Sequence, residues 1–266
     1  MDTVAVTGGT GHLGREIVRL LKPTHRVRVL ARRPGTDPDL EWVQGDLTTG
    51  EGVAETVADV HTVVHAATWS PAAHRGYLTP LDLWRSPPDV DVDGTSRLLE
   101  DATAAQVRHF VQISVVGADR PVVPYLRLKH TAEELVEVAD VPWSILRATP
   151  FHWLLDRMLG RGARWPVLPL PTGVPTQPVD HRDFAEYVVE CVRQGPGGLR
   201  PDFGGPQVLS LGEALRQWRG ARGRDPRVLT VPVPGRVRRA AEGLTCPDGR
   251  LGGTTWQQWL QTHPAE

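Results

Sequence analysis

Short apolar runs recur through the first 150 residues, at 3–6, 27–31, 40–44, 61–66, 109–114 and 143–146. Each is too short for a stable helix and is bounded by Gly, Pro or polar residues, so each predicts a strand. Between these runs the apolar residues fall at helical spacing. Leu13, Ile17, Val18, Leu20 and Leu21 predict a first helix that Pro23 ends. Leu98, Leu99 and Ala102 place another over 92–105, the stretch 125–138 predicts a second strong helix, and 52–58 a weak one. Strands separated by helices of this length imply a parallel sheet covered on both faces.

The pattern loosens beyond Thr149. A helix is expected over 151–159, an amphipathic one over 183–192, and a strand over 228–231. Ser210 followed by Glu213 forms a capping-box pattern for a helix over 211–219, and Thr254 or Thr255 would cap a last helix carrying Trp256, Trp259 and Leu260. Residues 160–178 hold five prolines and three glycines and read as loop. Residues 69–91, with Pro71, Pro80, Pro87 and Pro88, read as a loop or a broken lid. The expected whole is one domain over 1–266, with 1–150 the core and about 151–266 a small mixed lobe on the substrate side.

The segment Thr7-Gly8-Gly9-Thr10-Gly11-His12-Leu13-Gly14 follows the first strand and opens the first helix. Glycines at a strand-to-helix turn permit a tight bend, close approach of backbone to a pyrophosphate, and close helix–strand packing. The helix start supplies unpaired N–H groups and partial positive charge. This context makes the fold a Rossmann-type doubly wound α/β sheet and the ligand a dinucleotide. No Gly-Lys-Ser/Thr closes the loop, which speaks against a P-loop.

The second strand ends at Ala31-Arg32-Arg33. An acidic residue near this point would bind a ribose 2′-hydroxyl, whereas a guanidinium matches a 2′-phosphate. NADP(H) is therefore expected over NAD(H), with Asp37 and Asp39 able to serve NAD if the loop folds back. Asp46, after the third strand, is placed to touch the adenine edge.

Tyr125 and Lys129 are four apart on a helix and share one face. A phenol is a poor acid–base group near neutrality, and a neighbouring ammonium would lower its pKa. Lys129 is also one of only two lysines, with Lys22, in a chain whose basic charge is otherwise arginine. Ser114, ending a strand, is placed to hold a substrate oxygen.

These motifs together resemble the short-chain dehydrogenase/reductase superfamily, and within it the atypical NmrA-like branch of NAD(P)H-binding oxidoreductases. The resemblance runs from TGGTGHLG at 7–14 through VRVLARRP at 27–34, GDL at 45–47, VVHAAT at 63–68, DVDGTSRLLEDA at 91–102 and VQISVVG at 111–117. It continues through YLRLKHTAEELV at 125–136, WSILRATPFH at 143–152, VDHRDFAEYV at 179–188 and GGTTWQQWL at 252–260. The resemblance implies that Gly8, Gly11 and Gly14, with His12 and Leu13 between them, bind the pyrophosphate. Thr10, Arg32 and Arg33 would lie near the adenosine phosphate, Asp46 and Leu47 would flank adenine, and Ala66 and Ala67 would line the groove. Ser114, Tyr125 and Lys129 would match the catalytic serine, tyrosine and lysine, Lys129 also holding the ribose. Thr149, Pro150 and Phe151 would sit beside the nicotinamide. Asp91 departs from the pattern, standing where many relatives carry asparagine.

Charge is balanced, 30 Lys plus Arg against 31 Asp plus Glu, which speaks against a dedicated nucleic-acid binder. No apolar run reaches the roughly 18 residues of a membrane helix, and no secretory leader pattern opens the chain. Cys191 and Cys246 form no motif, no histidine pattern suggests a metal, and a cytoplasmic protein is expected. His152 is a candidate to orient substrate, and Trp69, Trp84, Trp153 and Trp165 are candidates to line an apolar cleft. The expected function is NADPH-dependent reduction of a carbonyl in a small, aromatic or polyketide-like molecule by a monomer or homodimer. The alternatives are an NADP(H)-sensing regulator without turnover, and an epimerase, dehydratase or quinone reductase.

Overall fold

The computed structural model describes residues 1–69 and 86–264. Six strands form the centre of the sheet: β1 (Thr3–Thr7), β2 (Arg26–Ala31), β3 (Glu41–Gln44), β4 (Thr62–His65), β5 (His109–Val115) and β6 (Trp143–Ala148). Their order in space is 3-2-1-4-5-6, and every pairing is parallel. This is the doubly wound order whose reversal beside β1 opens a crevice at the carboxyl ends of the strands.

The helices explain why β1, β4 and β5 read as unbroken apolar runs rather than alternating ones. Helix α1 (His12–Leu21) covers one face with Ile17, Val18 and Leu21. The other face is covered by α2 (Val53–Val57), α3 (Gly94–Ala104) and α4 (Pro124–Val138), through Val53, Val57, Leu98, Leu99, Ala102 and Val136. A single π-helical turn, Asp89–Asp93, feeds α3. Helix α4 is tied to β6 by a buried fork: Arg147 donates Nε to Glu133 Oε1 at 2.8 Å and Nη2 to Oε2 at 2.6 Å.

Past β6 come α5 (His152–Gly162), β7 (Val167–Leu170), β8 (Pro175–Thr176), α6 (His181–Gln194), β9 (Gly198–Leu199) and β10 (Phe203–Gly204). Then follow β11 (Leu209–Ser210), α7 (Leu211–Arg222), β12 (Arg227–Thr230), α8 (Gly235–Glu242), β13 (Arg250–Leu251) and α9 (Trp256–Thr262). Helix α6 is not part of the lobe core. Its Phe184, Val188 and Cys191 join α1 on the main sheet. Strands β9, β10 and β13 extend that sheet beyond β6. The remaining core packs Leu155 and Leu159 of α5 against Leu215 and Trp218 of α7 and Trp256, Trp259 and Leu260 of α9.

The predicted caps are present. Ser210 and Glu213 form a reciprocal capping box, and Thr255 does the same with Gln258. Asp180 caps α6 by accepting from the amide of Arg182. The proline-rich 160–178 stretch, expected as loop, contains β7 and β8. Strand β7 pairs in parallel with β12, with Pro169 opposite Leu229. In a two-stranded sheet the missing proline N–H can face away from the partner.

Among the described residues three histidines are fully buried: His65, His109 and His152. Burial pushes each down to about 4, helped by Lys129 beside His65 and by Arg200 beside His109, and opposed by Asp180 beside His152. An unfolded chain takes up these protons near pH 6.5, while the folded protein refuses them until about pH 4. Stability is therefore expected to be complete above about pH 6.5 and to fall by several kcal/mol as pH drops toward about 4. Urea unfolding at a series of pH values checks this, and a flat profile across that window would show that the rings are not buried in their neutral forms.

Candidate active site

The site is assembled at the carboxyl edge of the sheet. Thr7, His65, Gln112 and Ile145 are aligned across β1, β4, β5 and β6. Ser114 stands two residues further along β5, beyond the level of His65. The glycine loop leaves β1 at this edge and turns back into α1. Gly8 has φ +71°, and a Cβ there would stand 2.6 Å from the backbone of Ala66 and Ala67. A Cβ on Gly14 would stand 2.1 Å from the carbonyl oxygen of Gly8. Gly11 caps α1 with its amide bonded to Gly8 O at 2.9 Å. No side chain caps the helix start, and no acidic residue lies in its first turn. The turn thus offers backbone amides and uncompensated positive helix charge where a diphosphate would lie, and its residues fit a nicotinamide dinucleotide.

Above this turn sits an aromatic lip. The His12 ring stacks on Trp153 of α5 at 4.5 Å and meets His181 edge-on at 6.0 Å, while Phe151 lies 6.4 Å from Trp153 and 6.3 Å from His181. The lip joins the glycine loop to the second half of the chain. Trp153 was a cleft candidate on sequence grounds; its pairing with His12 was not foreseen.

On the opposite wall, Lys129 is buried and donates to Asp91 Oδ1 at 2.7 Å. Its ammonium lies 5.9 Å from the centre of the partly buried Tyr125 ring. Asp91 also accepts from Thr68 Oγ1 at 2.8 Å and from the amide of Trp69 at 3.1 Å. Burial pulls the Lys129 ammonium down, but Asp91, Tyr125 and Glu133 outweigh it and the net direction is up. Loss of water pushes the Tyr125 phenol up, and Asp91 adds to that. Lys129 and a hydrogen bond with Thr68 pull it down without reversing the sign. The lowered phenol pKa expected from the Tyr–Lys spacing is thus corrected: loss of water outweighs the pull of Lys129, and the carboxylate on that ammonium adds to the rise.

A buried chain links this wall to the glycine loop. Thr7 Oγ1 and His65 Nδ1 are 2.6 Å apart, His65 Nε2 and Thr95 Oγ1 3.0 Å apart, and Thr95 Oγ1 donates to Asp91 O at 2.8 Å. His65 was missed as a site residue. Its only sequence signal was a histidine at the end of an apolar strand.

Ser114 Oγ and Thr149 Oγ1 are buried without a hydrogen-bond partner among the described residues. Ala66 and Ala67 follow β4, directly against Gly8. Pro150 is exposed, and its carbonyl accepts from Val179. Asp46 closes its own turn, accepting from the amide and hydroxyl of Thr48 at 2.8 Å, and Leu47 is buried behind it. Thr10 is exposed on the loop rim. His152 points into the lobe core, 5.5 Å from Trp256 and 5.7 Å from Trp259, away from a substrate role. Trp165 is exposed, and Trp84 lies outside the described residues. No group of metal-ligating side chains occurs among the described residues, and none of their helices is long and apolar enough to cross a membrane.

A family model described as NAD(P)H-binding matches residues 8–195. Ceramide reductase of Caulobacter vibrioides is 30% identical over 254 residues, covering 87% of this chain and 74% of that protein. The chloroplast divinyl chlorophyllide a 8-vinyl-reductase of Oryza sativa subsp. indica is 29% identical over 259 residues, 87% of this chain and 61% of that protein. The chain spans about three fifths of the length of the first curated relatives it matches. Among solved structures, a short-chain dehydrogenase/reductase superfamily protein of Agrobacterium tumefaciens with bound NAD superposes with a TM-score of 0.72. It is 20% identical, with 98% of this chain and 95% of that chain covered. A UDP-glucose 4-epimerase of Thermus thermophilus, in complex with NAD, gives 0.73 at 20% identity, with 97% and 96% covered. At these identities the likeness shows the fold.

The expected preference for NADP(H) is overturned by these structures, which hold NAD. The arginines carry no contrary weight. Arg32 and Arg33 lie exposed past β2, and no hydrogen bond among the described residues fixes either guanidinium as a fork for a 2′-phosphate. Asp37 and Asp39 are taken up by Lys22, at 2.8 and 3.1 Å.

Proposed function

The chain belongs to the NAD(P)H-binding family of Rossmann-fold oxidoreductases, and from that premise we propose that it moves hydride between a nicotinamide dinucleotide and a carbonyl or alcohol carbon of a small organic molecule. The observation that carries this reading is the buried face of α4. There the Lys129 ammonium is buried 5.9 Å from the centre of the partly buried Tyr125 ring, the pairing that a proton donor and its charged neighbour would need.

The backbone amides around Gly11–Gly14 would hold the diphosphate, and Ala66 and Ala67 would wall the groove. Lys129 would reach the ribose hydroxyls, and Thr149 and Phe151 would border the nicotinamide. A bound nicotinamide supplies or accepts hydride. Tyr125, held neutral, donates its phenolic proton to the substrate oxygen as that oxygen gains charge. Ser114, whose hydroxyl is buried with no hydrogen-bond partner among the described residues, orients the same oxygen and stabilises it. The buried setting strengthens both contacts relative to water.

A second reading has the same pair run a transient oxidation, as an epimerase would, with no net use of cofactor. The likeness to the UDP-glucose 4-epimerase fold supports it. The test is turnover with either reduced dinucleotide against ketones, aldehydes, enones and quinones, followed by nicotinamide absorbance. Nucleotide sugars with oxidised dinucleotide are followed in parallel by NMR. Net oxidation of the cofactor supports reduction, and isomerisation without it supports the second reading. Binding of cofactor with no turnover in either arm would contradict both and leave a non-catalytic sensor. In whichever arm is active, Ser114→Ala is expected to lower kcat/KM about 100-fold.

A further inference from the structure

Lys129 meets a carboxylate before it meets the phenol. Its Nζ lies 2.7 Å from Asp91 Oδ1, and both side chains are almost wholly buried, 5% and 2% exposed. Asp91 is fixed from other directions as well: Thr68 Oγ1 donates to Oδ1, and the amide of Trp69 donates to Oδ2 at 3.1 Å. Its backbone carbonyl is held by Thr95, which the His65–Thr7 chain ties to the start of the glycine loop. Asp91 projects from the π-helical turn Asp89–Asp93, a local distortion of the kind that re-aims a side chain at functional sites.

We propose that Asp91 is a positioning residue that pins Lys129 and shields Tyr125 from its charge, so that the free site presents the phenol as a proton donor. This rests on the reading of Tyr125 as the acid and deepens it. An ion pair this close acts on the phenol as a dipole, whose influence falls faster with distance than that of a lone cation. An asparagine at position 91 would preserve the shape and most hydrogen bonds but leave a bare buried ammonium facing Tyr125, which favours phenolate.

Among the described residues, the other charged neighbours do not replace Asp91. From α4, Glu133 faces the same ammonium but is committed to the Arg147 fork. From β4, His65 is neutral across the working range. From the segment after β4, Thr68 contributes only a hydroxyl.

The test is a pH titration of phenolate absorbance in the cofactor-free protein, with the Tyr125 signal isolated by subtracting the Tyr125→Phe curve. Asp91→Asn and Asp91→Ala are expected to lower the Tyr125 midpoint by about 1 pH unit or more, whereas Asp91→Glu stays near wild type. Where turnover is measurable, the alkaline limb of the pH–rate profile should move by the same amount. A midpoint unchanged in Asp91→Asn, in protein whose circular dichroism and melting match wild type, would overturn the proposal. If the neutral variants fail to fold, the double variant Asp91→Asn/Lys129→Met, which removes both charges of the pair, decides. A Tyr125 midpoint near wild type supports the shield, and one raised by about 1 pH unit or more, which would mean that Lys129 acts on the phenol unshielded in the wild type, overturns it. The titration needs no substrate, so failure to find turnover would sink the proposed reaction without touching this result. Conversely, turnover with a midpoint unmoved in Asp91→Asn would sink only the shield.

Discussion

Replacing Tyr125 by phenylalanine is expected to cut turnover about 10²- to 10⁴-fold, the usual span for losing a positioned general acid. Dinucleotide affinity should stay within a few-fold of wild type. The phenol stands beside Lys129 and Asp91 on α4, and the amides that would hold the diphosphate lie across the crevice at the start of α1. The substitution removes one hydroxyl from a partly buried position and leaves the Lys129–Asp91 pair intact, so folding should be preserved. Steady-state kinetics with calorimetry of cofactor binding separates the effects. Equal turnover in wild type and variant would show that the proton comes from elsewhere.

The second large effect is expected at Gly14. An alanine there would bring a Cβ to 2.1 Å from the carbonyl oxygen of Gly8, and both partners are backbone. The loop and the first turn of α1 must separate to relieve this, and the amides aimed at the diphosphate move with them. Affinity for either nicotinamide dinucleotide should fall at least about 100-fold, or about 2.7 kcal/mol, accompanied by a lower melting temperature. Gly11→Ala is the graded comparison. Its Cβ would meet only Gly8 O at 3.3 Å, so it should fold normally and lose much less affinity. If Gly14→Ala binds like wild type, the loop is not the diphosphate cradle.

Much of the architecture was legible because the signals were local and mutually consistent. A strand, a glycine turn and a helix within 21 residues identify the first unit. The capping boxes at Ser210 and Thr255 are four-residue patterns with a direct physical cause. What escaped was short or non-local. Strand β7 hides behind Pro169, and β9, β10 and β13 are two residues each, too brief for any periodicity. They exist because β6 offers an edge for them to continue.

Within the site, sequence spacing placed Tyr125 and Lys129 together and gave the direction of the Lys129 effect, but it misjudged the net shift of the phenol. That shift depends first on the loss of water around the phenol and then on Asp91, 38 residues upstream. The arginines after β2 illustrate the same limit. A basic pair at a strand end is compatible with a 2′-phosphate, but a pocket also needs side chains that hold the guanidiniums in place. His65 likewise looked like an ordinary strand-end residue until Thr7 and Thr95 were seen on either side of its ring.

The most direct test is calorimetric titration of the purified protein with NAD and with NADH, repeated on Gly14→Ala. Saturable binding of one dinucleotide per chain, abolished or sharply weakened in the variant, is the predicted result. No heat with either form, or binding that Gly14→Ala leaves unchanged, would contradict the claim that the start of α1 cradles a dinucleotide.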